Sequence, residues 1–234
     1  MASLSAESLP SPETLASMIH NTLVNPEASW KELQEFVLKS ADCGFWAVVV
    51  QGRWAREVKE LVKGSDVRMS VGVGFPMGEG SMESKKAEIE QALAAGADLF
   101  DFVPNMSYLK SGMYDRFGME MAEIVKAAEG RPVSAALEYP LLNLDEKVRA
   151  AMLAQEAGVM IVGNSSIWGR AEPAMVGDIM LLRSITSSRT KVKASGGVHD
   201  LDAALRLIGA GADFVGTGSG VSIIDELRRR TAGR

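Results

Sequence analysis

The apolar positions of this chain switch repeatedly between short continuous runs and stretches with helical spacing. Residues 45–50 form an unbroken, β-branched-rich run, the mark of a strand buried on both faces, and a helical pattern follows at 55–62. The alternation continues with strand patterns at 67–75, 98–103, 133–137, 159–162, 191–194 and 213–215, and helical patterns at 83–95, 115–128, 143–157, 174–186, 201–208 and 223–230. Ahead of these, His20 to Val24 reads as an extended stretch stopped by Asn25-Pro26. Ser29 with Glu32 then reads as a capping box opening a helix that runs to about Asp42. Asn143 caps a later helix in the same way, with Glu146 three residues on.

Eight strand–helix units result, and a faint repeat runs through them. Gly44, Gly96, Gly158 and Gly211 each follow a helix end and precede an apolar strand, at intervals of 52, 62 and 53 residues, which leaves room for two units per interval. Four double units predict an α/β fold, a single (β/α)8 TIM barrel over residues 15–234 behind a polar leader at 1–14. The glycines read as helix ends needing left-handed backbone, and so as builders of the fold.

Composition narrows the function classes. A net charge of −5 gives no electrostatic footprint for nucleic acid, and no run reaches the length of a membrane span. One cysteine, Cys43, and two histidines, His20 and His199, argue against a disulfide, a multi-cysteine metal site or a zinc centre. The expectation is a cytoplasmic protein that needs no metal or other cofactor.

In a barrel of this kind the chemistry lies at the C-terminal ends of the strands. Those ends carry His20 and Asn21, Gln51, Asp101, Glu138, Gly163 with Asn164, Lys193 and Thr217. Inward-facing ionisable groups are costly unless paired or used, so Asp101, Glu138 and Lys193 together point to a site, with an ion-pair network filling the upper barrel as the structural alternative. Two glycine-rich turns follow the last two strands: Ser195-Gly196-Gly197, and Gly216-Thr217-Gly218-Ser219. Each precedes a helix, the arrangement in which backbone N–H groups hold a phosphate. Trp168 and Trp54 fall in loops where they can line a pocket; Trp46 reads as packing.

These residues resemble the deoxyribose-phosphate aldolase family. The resemblance is carried by Gly74-Phe75-Pro76-Met77-Gly78 with Glu83 and Lys85, Gly96-Ala97-Asp98 with Asp101, Leu109-Lys110-Ser111-Gly112, Val192 to Gly197, and Gly216 to Gly220. It runs from about Ile19 to Val221, nearly the whole chain. It implies a metal-free barrel enzyme of the class I aldolase type that adds an acetaldehyde enamine to glyceraldehyde 3-phosphate. A strand-6 lysine would form the Schiff base, a strand-7 lysine would lower its pKa, and a strand-4 aspartate would move protons. Lys193 and Asp101 match the last two roles. Where the family has Val-Lys-Thr-Ser-Thr-Gly, this chain reads Val162-Gly163-Asn164-Ser165-Ser166-Ile167, so the Schiff-base position is Gly163. Family residues also differ at His20-Asn21, at Gln51-Gly52 and at Ser134, where the family carries a strand-5 lysine.

The expectation is therefore lyase or aldol-type carbon–carbon chemistry on a phosphorylated sugar or aldehyde. Lys193, Asp101, His20 and Glu138 are the candidate catalytic groups; Asn21, Gln51, Gly163, Asn164 and Trp168 the substrate-binding ones; Ser195, Gly196, Gly197, Gly216, Gly218 and Ser219 the phosphate cradle. Two alternatives stand beside it. One is an isomerase, cyclase or carbon–carbon bond-forming enzyme that uses Asp101, Lys193 and His20 for proton transfer without a covalent intermediate. The other is a non-catalytic phosphosugar-binding protein. Apolar positions on the outer helices allow a homodimer.

Overall fold

The computed structural model describes residues 9–166 and 173–232. Eight parallel strands close into a barrel in sequence order, each paired with the next and the last with the first. They are β1 (Ile19–Leu23), β2 (Ala47–Gln51), β3 (Arg68–Val73), β4 (Leu99–Phe102), β5 (Val133–Ala136), β6 (Ile161–Gly163), β7 (Lys191–Ser195) and β8 (Phe214–Thr217). Helices return the chain on the outside: α1 (Pro12–Ala16), which precedes β1, then α2 (Trp30–Asp42), α3 (Ala55–Leu61), α4 (Met82–Ala94), α5 (Met106–Lys110), α6 (Tyr114–Ala127), α7 (Leu144–Glu156), α8 (Val176–Ile185), α9 (Leu201–Gly209) and α10 (Gly220–Ala232). This is the (β/α)8 barrel the periodicity predicts, with α5 as an unanticipated short helix after β4.

Local signals set the helix ends. Ser29 with Glu32 and Asn143 with Glu146 form complete capping boxes, so two otherwise orphaned donors are satisfied at each start. Gly44, Gly96, Gly158 and Gly211 take φ of +66°, +85°, +85° and +107°, the conformation that lets the chain leave a helix and enter a strand.

The barrel interior is layered. Its lower part is apolar, with Ala47, Leu99 and Ile161 packed beside Trp46 and Phe214. His20 lies against this plug, its ring stacked on Trp46 at 4.5 Å and tilted on Phe214 at 4.7 Å. Polar side chains take over above. The outer layer, between strands and helices, holds the larger apolar core, including Phe45, Phe100, Phe117 and Ile224.

One buried ion pair braces the upper rim. Lys85 Nζ on α4 bonds Glu120 Oε1 on α6 at 2.7 Å and the Gly78 carbonyl at 2.6 Å, while Glu120 Oε2 accepts from the Asn105 amide at 2.8 Å. The loops after β3 and β4 are thus tied to one charge pair, shielded from water at 0% and 3% side-chain exposure.

Candidate active site at the mouth of the barrel

The strand ends surround a narrow cavity of about 20 Å³. Lys193 and Asp101 lie in its wall, joined by a 2.6 Å bond from Nζ to Oδ1; Ser70 Oγ donates to Asp101 Oδ2 at 2.7 Å. Burial alone pushes the Asp101 carboxyl up, but the adjacent Lys193 ammonium and the hydrogen bonds from Lys193 and Ser70 outweigh it and hold the group below the usual aspartate range. Asp101 is therefore a carboxylate at neutral pH, and the resting pair is ionic.

Strand register explains what surrounds the pair. Gly163 of β6 pairs with Lys193 of β7, and Asp101 of β4 with Ser134 of β5. Residues two apart face the same way. Lys193 and Ser195 accordingly share the cavity, as do Ser134 and Ala136. Gly163 contributes only backbone. A Cβ there would meet the carbonyl oxygens of Ala135 and Lys193 at 3.6 Å, ordinary contact, so the backbone accepts a Cβ at this position. Thr22, Ser165 and Ser166 complete a lining rich in hydroxyl groups. The sequence reading missed these three and Ser70. Period-two alternation carried outward from His20 finds Thr22.

Glu138 is not in the wall of this cavity; it lines a neighbouring pocket with Pro76, Asn105 and Leu141 and reaches the cavity only through Ser166. Its Oε1 accepts from the Ser166 amide at 2.6 Å, whereas Oε2 is buried without a hydrogen-bond partner. Burial pushes this carboxyl up, and the Ser166 hydrogen bonds only partly oppose the shift. The residue sits at φ +46°, ψ +47°, left-handed backbone that is costly for a non-glycine side chain.

Several predicted positions lie elsewhere. His20 and Asn21 are not strand ends: β1 starts at Ile19 and runs on to Leu23, which puts both in mid-strand. His20 points into the barrel toward the apolar plug, fully buried, with neither ring nitrogen hydrogen-bonded; burial, then the Lys193 charge, hold it well below the usual histidine range, so it is a neutral imidazole. Asn21 faces outward, donating to Ser40 Oγ at 2.8 Å and accepting from the Gly220 amide at 3.2 Å, and so pins the start of α10. Gln51 faces a groove outside the mouth and donates to the Val24 carbonyl. Asn164 braces β6 to β7 through both the amide and the carbonyl of Ser195. Trp54 packs on Trp30 at 5.2 Å, and Trp168 lies outside the described residues.

Both glycine turns follow the strands named for them. Gly196 and Gly197 take φ of +113° and +62°. Among the described residues no acceptor meets the backbone N–H of Gly196, Gly197 or Gly218. Ser219 donates its own amide to Thr217 Oγ1 at 2.9 Å. Gly216 has a separate role in packing: a Cβ there would collide with Ser195 Oγ and lie 2.9 Å from Lys193 Cε, so its bare backbone admits both side chains. The described residues contain no group of three His, Cys, Asp or Glu side chains placed to hold a metal, and no helix among them is long and apolar enough to cross a membrane.

Comparison with known proteins accords with this architecture. No family model matches the chain. Full-length relatives do: it is 37% identical over 213 residues to deoxyribose-phosphate aldolase of Dictyoglomus turgidum, covering 91% of this chain and 97% of the relative. It is 38% identical over 216 residues to that of Methanothermobacter thermautotrophicus, covering 92% and 96%. Among solved structures, QR15, an aldolase, superposes with a TM-score of 0.89 at 33% identity over 93% of this chain and 97% of that one. The tetrameric deoxyribose phosphate aldolase of Aeropyrum pernix does so with 0.86 at 31% identity, over 95% and 94%. With a closed eight-stranded barrel, an Asp–Lys pair at its mouth and this likeness along nearly its whole length, the chain belongs to the deoxyribose-phosphate aldolase family.

Proposed function

We propose that the chain is an aldolase-type lyase acting on a phosphorylated sugar or aldehyde, in which the amine of Lys193 serves as nucleophile where Gly163 leaves strand 6 without one. The observation that carries this reading is the 2.6 Å Lys193–Asp101 pair in the cavity wall, with Gly163 in register beside Lys193. The remaining lysine thus stands one strand from the vacated position, with a proton acceptor in contact.

The proton balance closes on these two residues. Asp101 takes a proton from the Lys193 ammonium, and the free amine adds to the substrate carbonyl carbon. Asp101 returns that proton to the carbinolamine oxygen, which leaves as water, and a protonated imine remains. In the cleavage direction the electron pair of the carbon–carbon bond moves toward the imine nitrogen to give an enamine, while Asp101 accepts the proton of the departing hydroxyl. The depressed pKa of Asp101 keeps it a carboxylate at the start of each transfer, and the same ion pair makes it a weaker base toward the Lys193 ammonium. The unpartnered N–H groups of Gly196, Gly197 and Gly218 support phosphate binding across the mouth. Exposed Met152, Met175 and Met180 on or beside α7 and α8 support self-association, with a homodimer as its smallest form.

Borohydride reduction in the presence of acetaldehyde, followed by peptide mapping, tests the assignment. The expected result is a two-carbon adduct on Lys193, with turnover reduced on the order of 10³-fold or more in Lys193→Met, about 4 kcal/mol of transition-state stabilisation. Continued turnover with Lys193 unmodified overturns it.

A further inference from the structure

The cavity at Lys193, about 20 Å³, has room for about one water, so a substrate that carries a tail needs space beyond it. The space lies on the far side of Phe75. A groove of about 560 Å³ runs there between the ends of β2 and β3 and the flank of α4, within the ~300–1,000 Å³ typical of small-molecule sites. Phe75 lines both spaces. Its ring rests over Gly72, where an added Cβ would sit 3.2 Å from ring Cδ2, so the partition stands against bare backbone.

The groove has the chemistry of a tail-binding site. Val24, Val71 and Ala92 give it an apolar floor, and Gln51, Arg53 and Glu88 a polar rim. The rim is held in place: Arg53 Nη2 donates to the Pro26 carbonyl at 3.3 Å and Glu88 Oε2 accepts from the Gly74 amide at 2.8 Å. The glycine turns after β7 and β8 lie two or more strands round the closed barrel from β2 and β3. A phosphate there and an apolar tail here would flank Lys193 from two directions.

We infer that the groove is a second subsite, which takes the apolar tail, aryl or branched alkyl, of a donor aldehyde larger than acetaldehyde, with Phe75 turning aside to join it to the Lys193 cavity. What happens at Lys193 rests on the aldolase reading; binding in the groove does not.

Two probes separate these. 3-Phenylpropanol carries the tail and cannot form an imine; 3-phenylpropanal carries the tail and an enolisable aldehyde. Titration calorimetry with the alcohol is expected to show saturable binding that weakens at least 10-fold in Gln91→Trp, a substitution at an exposed α4 position that overhangs the groove and not the mouth. Binding tightens several-fold in Phe75→Ala, where the cost of opening is removed. Acetaldehyde trapping at Lys193 stays unchanged in Gln91→Trp. Absence of alcohol binding to the wild type, or equal affinity in wild type and folded Gln91→Trp, overturns the subsite. Groove-dependent binding of the alcohol without trapping of either aldehyde supports the subsite and removes the aldolase reading.

Discussion

Returning an amine to position 163 puts the relation between Gly163 and Lys193 to a direct test. In Gly163→Lys the new Cβ meets its nearest neighbours at 3.6 Å, so the backbone need not shift. Gly163 and Lys193 are register partners on adjacent strands, about 5 Å apart, and two ammonium groups at that spacing repel by about 3 kcal/mol at an effective dielectric of ~20. The Asp101 carboxylate beside Lys193 offsets part of that repulsion, and the remainder lowers the pKa of the new amine below the ordinary lysine value of ~10.4, toward nucleophilic work near neutrality. The expected outcome is an acetaldehyde adduct on the peptide containing residue 163 after borohydride treatment, with product formation raised by about 10²-fold over wild type. Stability supplies an independent reading. Between the lowered folded pKa and ~10.4 the unfolded chain holds a proton on the new lysine that the folded one has lost, so the stability of the variant relative to wild type rises with pH. A folded Gly163→Lys protein whose new amine stays unlabelled from pH 7 to 9, with no such rise, would show that position 163 does not face the reacting carbonyl.

Three further outcomes follow from the same geometry. Asp101→Asn leaves the Lys193 ammonium buried without its counter-charge and is expected to cost about 3–5 kcal/mol in urea unfolding, much of it recovered in the Asp101→Asn/Lys193→Met double variant. His20 has a depressed folded pKa, so its contribution is present above ~6.5 and is lost as pH falls below it, at up to about 1.4 kcal/mol per pH unit; His20→Phe should flatten that limb of the stability profile, and parallel curves between pH 6.5 and 4.5 would assign it to other groups. Glu138 has a raised folded pKa, so its favourable contribution is present below ~4.3 and is lost as pH rises through the folded value. Glu138→Gln should match wild-type stability near pH 4 and exceed it at pH 8 in thermal melts.

The barrel was legible because its signals are local and repeated: β-branched runs such as Val48-Val49-Val50, capping boxes at Ser29 and Asn143, and glycines that end helices. α5 escaped because five residues span little more than one turn, too few to display a period. The site was legible in its residue types and less so in its directions. Neighbouring residues of a strand face opposite ways, which is why Asn21, named with His20 as a strand-end candidate, turns out to be a clamp on α10, while Thr22, two residues on from His20 and not named, lines the cavity. Glu138 and Asn164 show a second limit. Both stand at strand ends, yet Asn164 spends its amide on Ser195, whereas Glu138 keeps one buried oxygen unpartnered, a difference set by turns nearly thirty residues away in sequence. The groove behind Phe75 has no linear signature at all, since its lining is drawn from the loop after β1 and from β2, β3 and α4 together. Individual residue types carry the charge pair, and the fold carries the space around it. A change of substrate in this barrel can therefore arise from positions such as Gly72 and Gly163, where a missing side chain alters the shape of the mouth and leaves the Lys193–Asp101 pair untouched.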